Sequence, residues 1–224
     1  MPSLVPNRFL VTVAHPCPYV KDAPRDADDE HLVELPIEAK LQNFAALDGQ
    51  RNFADVRVAW NELGLAVTVE VKGKEQPLVG DSDKPKTSDG LWLLLDTRDA
   101  RASHRASRYC HHFLFLATGG GRDKDSAFVA QLKINRAQQD APLANLAEVP
   151  FRAYTVKSGY RLEVFLTAGT LYGFDAREHP RLGVCYCVRD QELGDQFSSV
   201  NWDFPFAEDP SLWSVLELQP KNPG

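Results

Sequence analysis

Four arginines (Arg98, Arg101, Arg105, Arg108) and three histidines (His104, His111, His112) fall between positions 98 and 112 of this chain. Guanidinium groups grip carboxylate or phosphate through two parallel hydrogen bonds, so the run points to an anion or an acidic sugar. The same run also reads as a solvated loop, or as arginines paired with the acidic stretch Asp26-Ala27-Asp28-Asp29-Glu30. Imidazoles ligate metals as well. His111 and His112 open a strand and point to opposite faces. His104 and His111 share a metal only if the loop between them folds back, with Asp96 or Asp99 as carboxylate partner. Zinc would want three or four ligands, and the spacing supplies no such set. A second constellation is Asn201-Trp202-Asp203-Phe204-Pro205-Phe206. Its aromatic faces stack on a sugar ring or a cation, or they close the open end of a sandwich.

Other chemistry is thin. There is no G-x-S-x-G, H-E-x-x-H or C-x-x-C. Asp96 and Glu163 are carboxylates of the type an acid–base pair needs, at a separation the sequence does not give. Gly119-Gly120-Gly121 lacks the G-K-[ST] ending of a phosphate loop and reads as a wide turn. Cys17, Cys110, Cys185 and Cys187 read as reduced, buried or half-buried thiols. Cys185 and Cys187 share one face of a strand.

The elements that must position these groups are strands. Val56, Val58 and Trp60 alternate with Asp55, Arg57 and Ala59, and Leu65, Val67, Val69 and Val71 with Ala66, Thr68 and Glu70. Asn61-Glu62-Leu63-Gly64 between them predicts a hairpin over 54–72. Lys157-Ser158-Gly159 joins 151–156 to 160–167 in the same way, and 182–189 alternates again. Further strand candidates are 8–13, 90–96, 109–117, 127–134 and 213–218. About ten short strands punctuated by Gly, Pro and Asp predict an all-β fold, an antiparallel β-sandwich with short helical insertions, one of them over 168–178. Residues 16–40, 73–89 and 189–212 read as long loops, a class of segment that often carries function.

Composition bounds the rest. The chain has 224 residues, 43% apolar and 25% charged, with 25 Lys plus Arg against 31 Asp plus Glu, for a net charge of −6. This suits one domain, with an N-terminal strand and Pro/Asp-rich loop over 1–40 and a sandwich body over 41–219. The acidic balance argues against a nucleic-acid partner, and no apolar run is long enough to span a membrane. The first twenty residues lack the order of a secretory signal, which points to the cytoplasm.

The order of motifs resembles the family 9 carbohydrate-binding modules and their DOMON-like relatives. The residues that carry it are Val56–Trp60 with Leu65–Val71, Asp89-Gly90-Leu91-Trp92-Leu93-Leu94-Leu95-Asp96, Gly159–Leu166, Leu182–Asp190, Trp202 and Leu216-Glu217-Leu218. The resemblance spans roughly residues 40–219. It implies a β-sandwich with a ligand site on one sheet, a sugar held between two tryptophans, and often structural calcium. Trp202 beside Asn201 stands where the second clamping tryptophan is expected. The first falls near Lys86, and Trp92 stands where the family strand usually carries Glu. Asp26, Asp28, Asp29 and Glu30 are oxygen donors suited to calcium, although their spacing is not that of an EF-hand; apart from such calcium, no cofactor is expected. A Met–His haem ligation has no candidate, since Met1 is the sole methionine.

These readings converge on a non-catalytic module that binds a carbohydrate or a small anionic ligand. The residues expected to contact it are Trp92, Arg98, His104, Arg105, Arg108, His111, Asn201 and Trp202. The alternatives are a metal-dependent enzyme built on the segment 96–112, and an interaction domain without a small ligand.

Overall fold

The computed structural model describes residues 12–26 and 28–221. Among them eleven strands form two sheets: β1 (Ala14–Cys17), β2 (Ala54–Asn61), β3 (Gly64–Lys72), β4 (Gly90–Asp96), β5 (Cys110–Gly120), β6 (Ser126–Leu132), β7 (Phe151–Val156), β8 (Gly159–Thr167), β9 (Arg181–Asp190), β10 (Gly194–Phe197) and β11 (Ser214–Leu218). The larger sheet runs β1-β11-β9-β4-β5-β6, with β10 on the stretch of β9 beyond β11; the smaller runs β2-β3-β8-β7. All pairs are antiparallel except β1 with β11, which is parallel. Among the described residues the helical insertions are five single 3-10 turns, and no helix is long and apolar enough to cross a membrane.

Strand alternation builds the sandwich core. Val56, Val58, Leu65, Val67, Val69, Leu162 and Val164 of the small sheet face Leu91, Leu93, Phe113, Phe115, Val184 and Tyr186 of the large one. Alternation in the sequence predicts one apolar face and one mixed face for each sheet, and the structure differs. The large sheet is apolar on its outer face too: Trp92, Leu94, Leu114, Leu116, Cys185 and Cys187 pack under Phe197, Val200, Phe206 and Trp213. The segment 189–212 is therefore the cover of that sheet. Part of it is the strand β10, started where Asp190 Oδ1 accepts the Glu192 and Leu193 amides and Gly194 turns at φ +96°.

The proline-rich stretch 16–40 is a strap across the outer face of the small sheet. Ala23, Leu32, Val33, Leu35 and Ala39 cover Ala59, Ala66 and Phe165. Glu163, fully buried, pins it: its carboxylate accepts the Leu32 amide at 2.8 Å and pairs with Arg161 at 2.8 Å. Residues 168–178 form consecutive turns rather than a helix. Asp175 accepts the Arg177 and Glu178 amides and Thr167 Oγ1 the Thr170 amide, local bonds that compete with helical ones. The strand candidate 8–13 falls largely outside the described residues; its described part, 12–13, precedes β1.

Gly159 shows how close the β3–β8 ladder runs. A Cβ there would stand 1.8 Å from the Val71 carbonyl oxygen. Gly159→Ala should cost on the order of 1–3 kcal/mol by overpacking. A lower urea midpoint at unchanged slope would report it.

Candidate functional site

Residues on a strand two apart share a face, and this rule places the site. On β4 and β5 it puts Trp92 and His112 on the outer face of the large sheet, with ring centroids 5.3 Å apart. Trp202 descends from the covering segment, its ring 5.7 Å from Trp92 and nearly perpendicular to it. It also packs on Phe197 at 5.5 Å and Phe206 at 5.0 Å. Its Nε1–H donates to Asp195 Oδ2 at 2.6 Å, and the Arg189 guanidinium, 3.1 Å from the other Asp195 oxygen, lies 5.0 Å over its ring. An indole held by this many contacts is still 44% exposed. Trp92, His112 and Trp202 line a cavity of about 300 Å³, with Lys86, Lys133 and Asn135 among its other walls.

Two polar atoms of these rings are sealed without a hydrogen-bond partner: Trp92 Nε1 and His112 Nε2. Such groups are uncommon in folded proteins and mark strain or function. Burial pushes the His112 pKa down to about 4, so the imidazole is neutral at pH 7.

The arginine–histidine segment does not stay together. Arg98 and Arg108 lie over Tyr109 at 4.5 Å and 5.6 Å; Arg108 also lies over Tyr172 at 5.0 Å and bonds its hydroxyl. His111, fully buried, faces the sandwich interior, stacked on Phe113 and 3.2 Å from the Tyr172 carbonyl. Burial lowers its pKa, against the effect of that bond. His104 and Arg105 stay in the β4–β5 loop. His104 meets Asp209 and Ser211, and Arg105 donates to the Arg136 carbonyl at 2.8 Å. Asn201 accepts the Asp203 amide and shapes the turn that carries Trp202. Of the eight expected residues, Trp92 and Trp202 line the indole cavity, with Asn201 next to it in the chain. His112, Lys86, Lys133 and Asn135 line it too and are outside the eight; of these, Lys86 stands where the resemblance puts the first clamping tryptophan. For His112 the signal is strand alternation, which sends it to the face opposite His111.

Catalytic arrangements can be placed as well. Asp96 lies on β4 and caps a turn by accepting the Arg98 and Ala100 amides, while burial raises its pKa. Glu163 lies on the outer face of the other sheet, so the two carboxylates do not form a pair. All four cysteines are free and buried, and burial pushes Cys185 up to about 11 and Cys110 to about 12, far from a thiolate nucleophile. Among the described residues no three His, Cys, Asp or Glu side chains group as metal ligands. The deepest carboxylate cluster, Asp89 and Asp190 with Glu192 nearby, holds the Lys74 ammonium instead. Asp26, Asp28, Asp29 and Glu30, the oxygen donors named for calcium, do not gather three side chains around one point among the described residues.

No protein-family model matches the sequence, and no curated protein matches it. Solved structures share the fold. A family 9 carbohydrate-binding module from Caldicellulosiruptor kristjanssonii in complex with cellotriose is 14% identical, with a TM-score of 0.61, over 94% of this chain and 96% of that one. The same organism's family 9 module in complex with glucose is 15% identical, with a TM-score of 0.54, over 76% of this chain and 78% of that one.

Proposed function

We propose that this protein is a non-catalytic carbohydrate-binding module whose sugar ring stacks on Trp202 above the cavity lined by Trp92 and His112. The observation that carries the proposal is Trp202 itself: a large aromatic face, 44% exposed, fixed by Asp195 and three neighbouring rings at a cavity mouth. A stacking platform must expose apolar area and lose little freedom on binding, and this indole does both. Neutral His112 suits a ligand rich in hydroxyls. The solved structures of like fold hold cellotriose and glucose, which favours the same ligand class here.

The test is calorimetric titration with a panel of neutral sugars and uronic acids. Trp202→Ala should weaken binding by about thirtyfold, the loss of a buried aromatic anchor worth roughly 2 kcal/mol. Its far-UV spectrum should stay that of the parent. A parent protein that binds no sugar, or a Trp202→Ala variant that binds as well as the parent, would overturn the proposal.

A further inference from the structure

We infer that the covered face of the large sheet binds a glycan chain through linked subsites rather than one terminal sugar, an inference that rests on the carbohydrate reading above. Phe204 and Pro205 line the indole cavity and also a second cavity of about 380 Å³. His104 lines that second cavity and also a third, open depression of about 510 Å³ bordered by Arg105 and Gln138. Each cavity thus shares a wall with the next, and the three adjoin in series.

The walls change character along the series. The first is aromatic. The second presents the His104 imidazole, the Asp209 carboxylate and the Ser211 hydroxyl, with Ser199 and Ser214 in the same lining. His104 Nδ1 is 3.1 Å from Asp209 Oδ2 and 3.0 Å from Ser211 Oγ. A Ser–His–Asp relay needs serine and aspartate on opposite ring nitrogens. Here both use Nδ1, so the trio is a hydrogen-bonding wall and not an activated nucleophile. Nε2 stays on the far side of a ring that is 80% exposed, open to a hydroxyl donor or acceptor. The trio is held in place: Asp209 Oδ1 accepts the Ser211 amide at the start of the 3-10 turn Pro210–Leu212. Beyond it, the Arg105 guanidinium is fixed by the carbonyls of Arg136 and Ala137. A sugar unit has an apolar C–H face and a rim of hydroxyls. Consecutive units of one chain therefore match an indole surface followed by a polar wall across the Phe204–Pro205 ridge.

The experiment is calorimetric titration of the full chain with glucose against cellotriose, xylose against xylotriose, mannose against mannotriose, and galacturonic acid against its trimer. The parent should bind the trisaccharide of at least one series on the order of tenfold tighter than its monosaccharide. His104→Ala and Ser211→Ala should each erase that gain and leave monosaccharide affinity unchanged, while Trp202→Ala weakens both. Equal affinity of the parent for mono- and trisaccharide, or a gain that survives both wall variants, would overturn the linked subsites and leave the carbohydrate reading standing. No binding of any of these neutral or acidic sugars would overturn both.

Discussion

Lys74→Met should destabilise the fold by about 3–5 kcal/mol, the cost of stranding buried charges. The Lys74 side chain is 3% exposed, and its ammonium lies 3.1 Å from Asp89 Oδ2, 3.1 Å from Asp190 Oδ1 and 3.9 Å from Glu192. Both aspartate side chains are fully buried. Burial works against the lysine's charge, and the hydrogen bonds to Asp89 and Asp190 outweigh it and raise its pKa. A raised lysine pKa contributes stability that is fully present at neutral pH and is lost only above the ordinary lysine value. The aspartates are committed elsewhere as well. Asp89 accepts the Val79 and Gln191 amides, and Asp190 those of Glu192 and Leu193. Lys74 thus ties the end of β3 in the small sheet to β4 and β9 in the large one. Methionine keeps the volume and removes the charge, leaving two buried carboxylates opposed. The loss is a large part of the roughly 5–15 kcal/mol that holds a domain of this kind together. Urea unfolding at pH 7 measures it. Adding Asp89→Asn to Lys74→Met should recover part of the loss, a coupling that a double-mutant cycle isolates. Two additive substitutions, or a Lys74→Met variant as stable as the parent, would show that the cluster contributes nothing as a unit.

That cluster also marks the limit of what the sequence discloses. The hairpins 54–72 and 151–167 are legible because alternation and turn residues are local, and β4, β5, β6, β9 and β11 follow by the same rule. Pairings across long stretches of chain leave no such trace. Lys74 and Asp190 are 116 positions apart, and Glu163 accepts the Leu32 amide across 131. The strap over the small sheet and the cover over the large one both read as loops because their apolar residues have no period; each is shaped to a sheet already formed. Trp92 and Trp202 were legible as aromatics of a recognisable order. The arginine run was misleading as a unit: a β4–β5 loop followed by a strand sends neighbouring side chains to different faces. Arg108 therefore meets Tyr172, His111 the interior and His112 the cavity.

Acid should unfold this protein well before its carboxylates are all protonated. His15 and His112 are both buried, and burial lowers each pKa from 6.5 to about 4. The unfolded chain therefore takes up a proton at each histidine as the pH falls from about 6.5 toward 4, while the folded chain does not. Stability rises with pH wherever the unfolded state holds more protons, so it falls with acidification across that window and is flat above it on account of these groups. A gap of this size is worth roughly 3 kcal/mol per histidine. Two such residues approach the whole stability of a typical domain. The surroundings explain why neither ring charges in place. His15 Nδ1 accepts the Gln42 amide, a bond that protonation would forbid, and its Nε2 is sealed without a partner. His112 sits against the Trp92 ring with Nε2 likewise unpartnered. Asp96 opposes the trend, since burial raises its pKa and its contribution favours acid. Urea unfolding at pH 7.0, 5.5 and 4.5 reads the slope, and His112→Leu should make it shallower by deleting one proton site, while His15 and buried His111, whose pKa is also lowered, keep the rest. A stability unchanged between pH 6.5 and 4.5 would show that both imidazoles find protons in the folded state, and that the cavity floor is open to solvent.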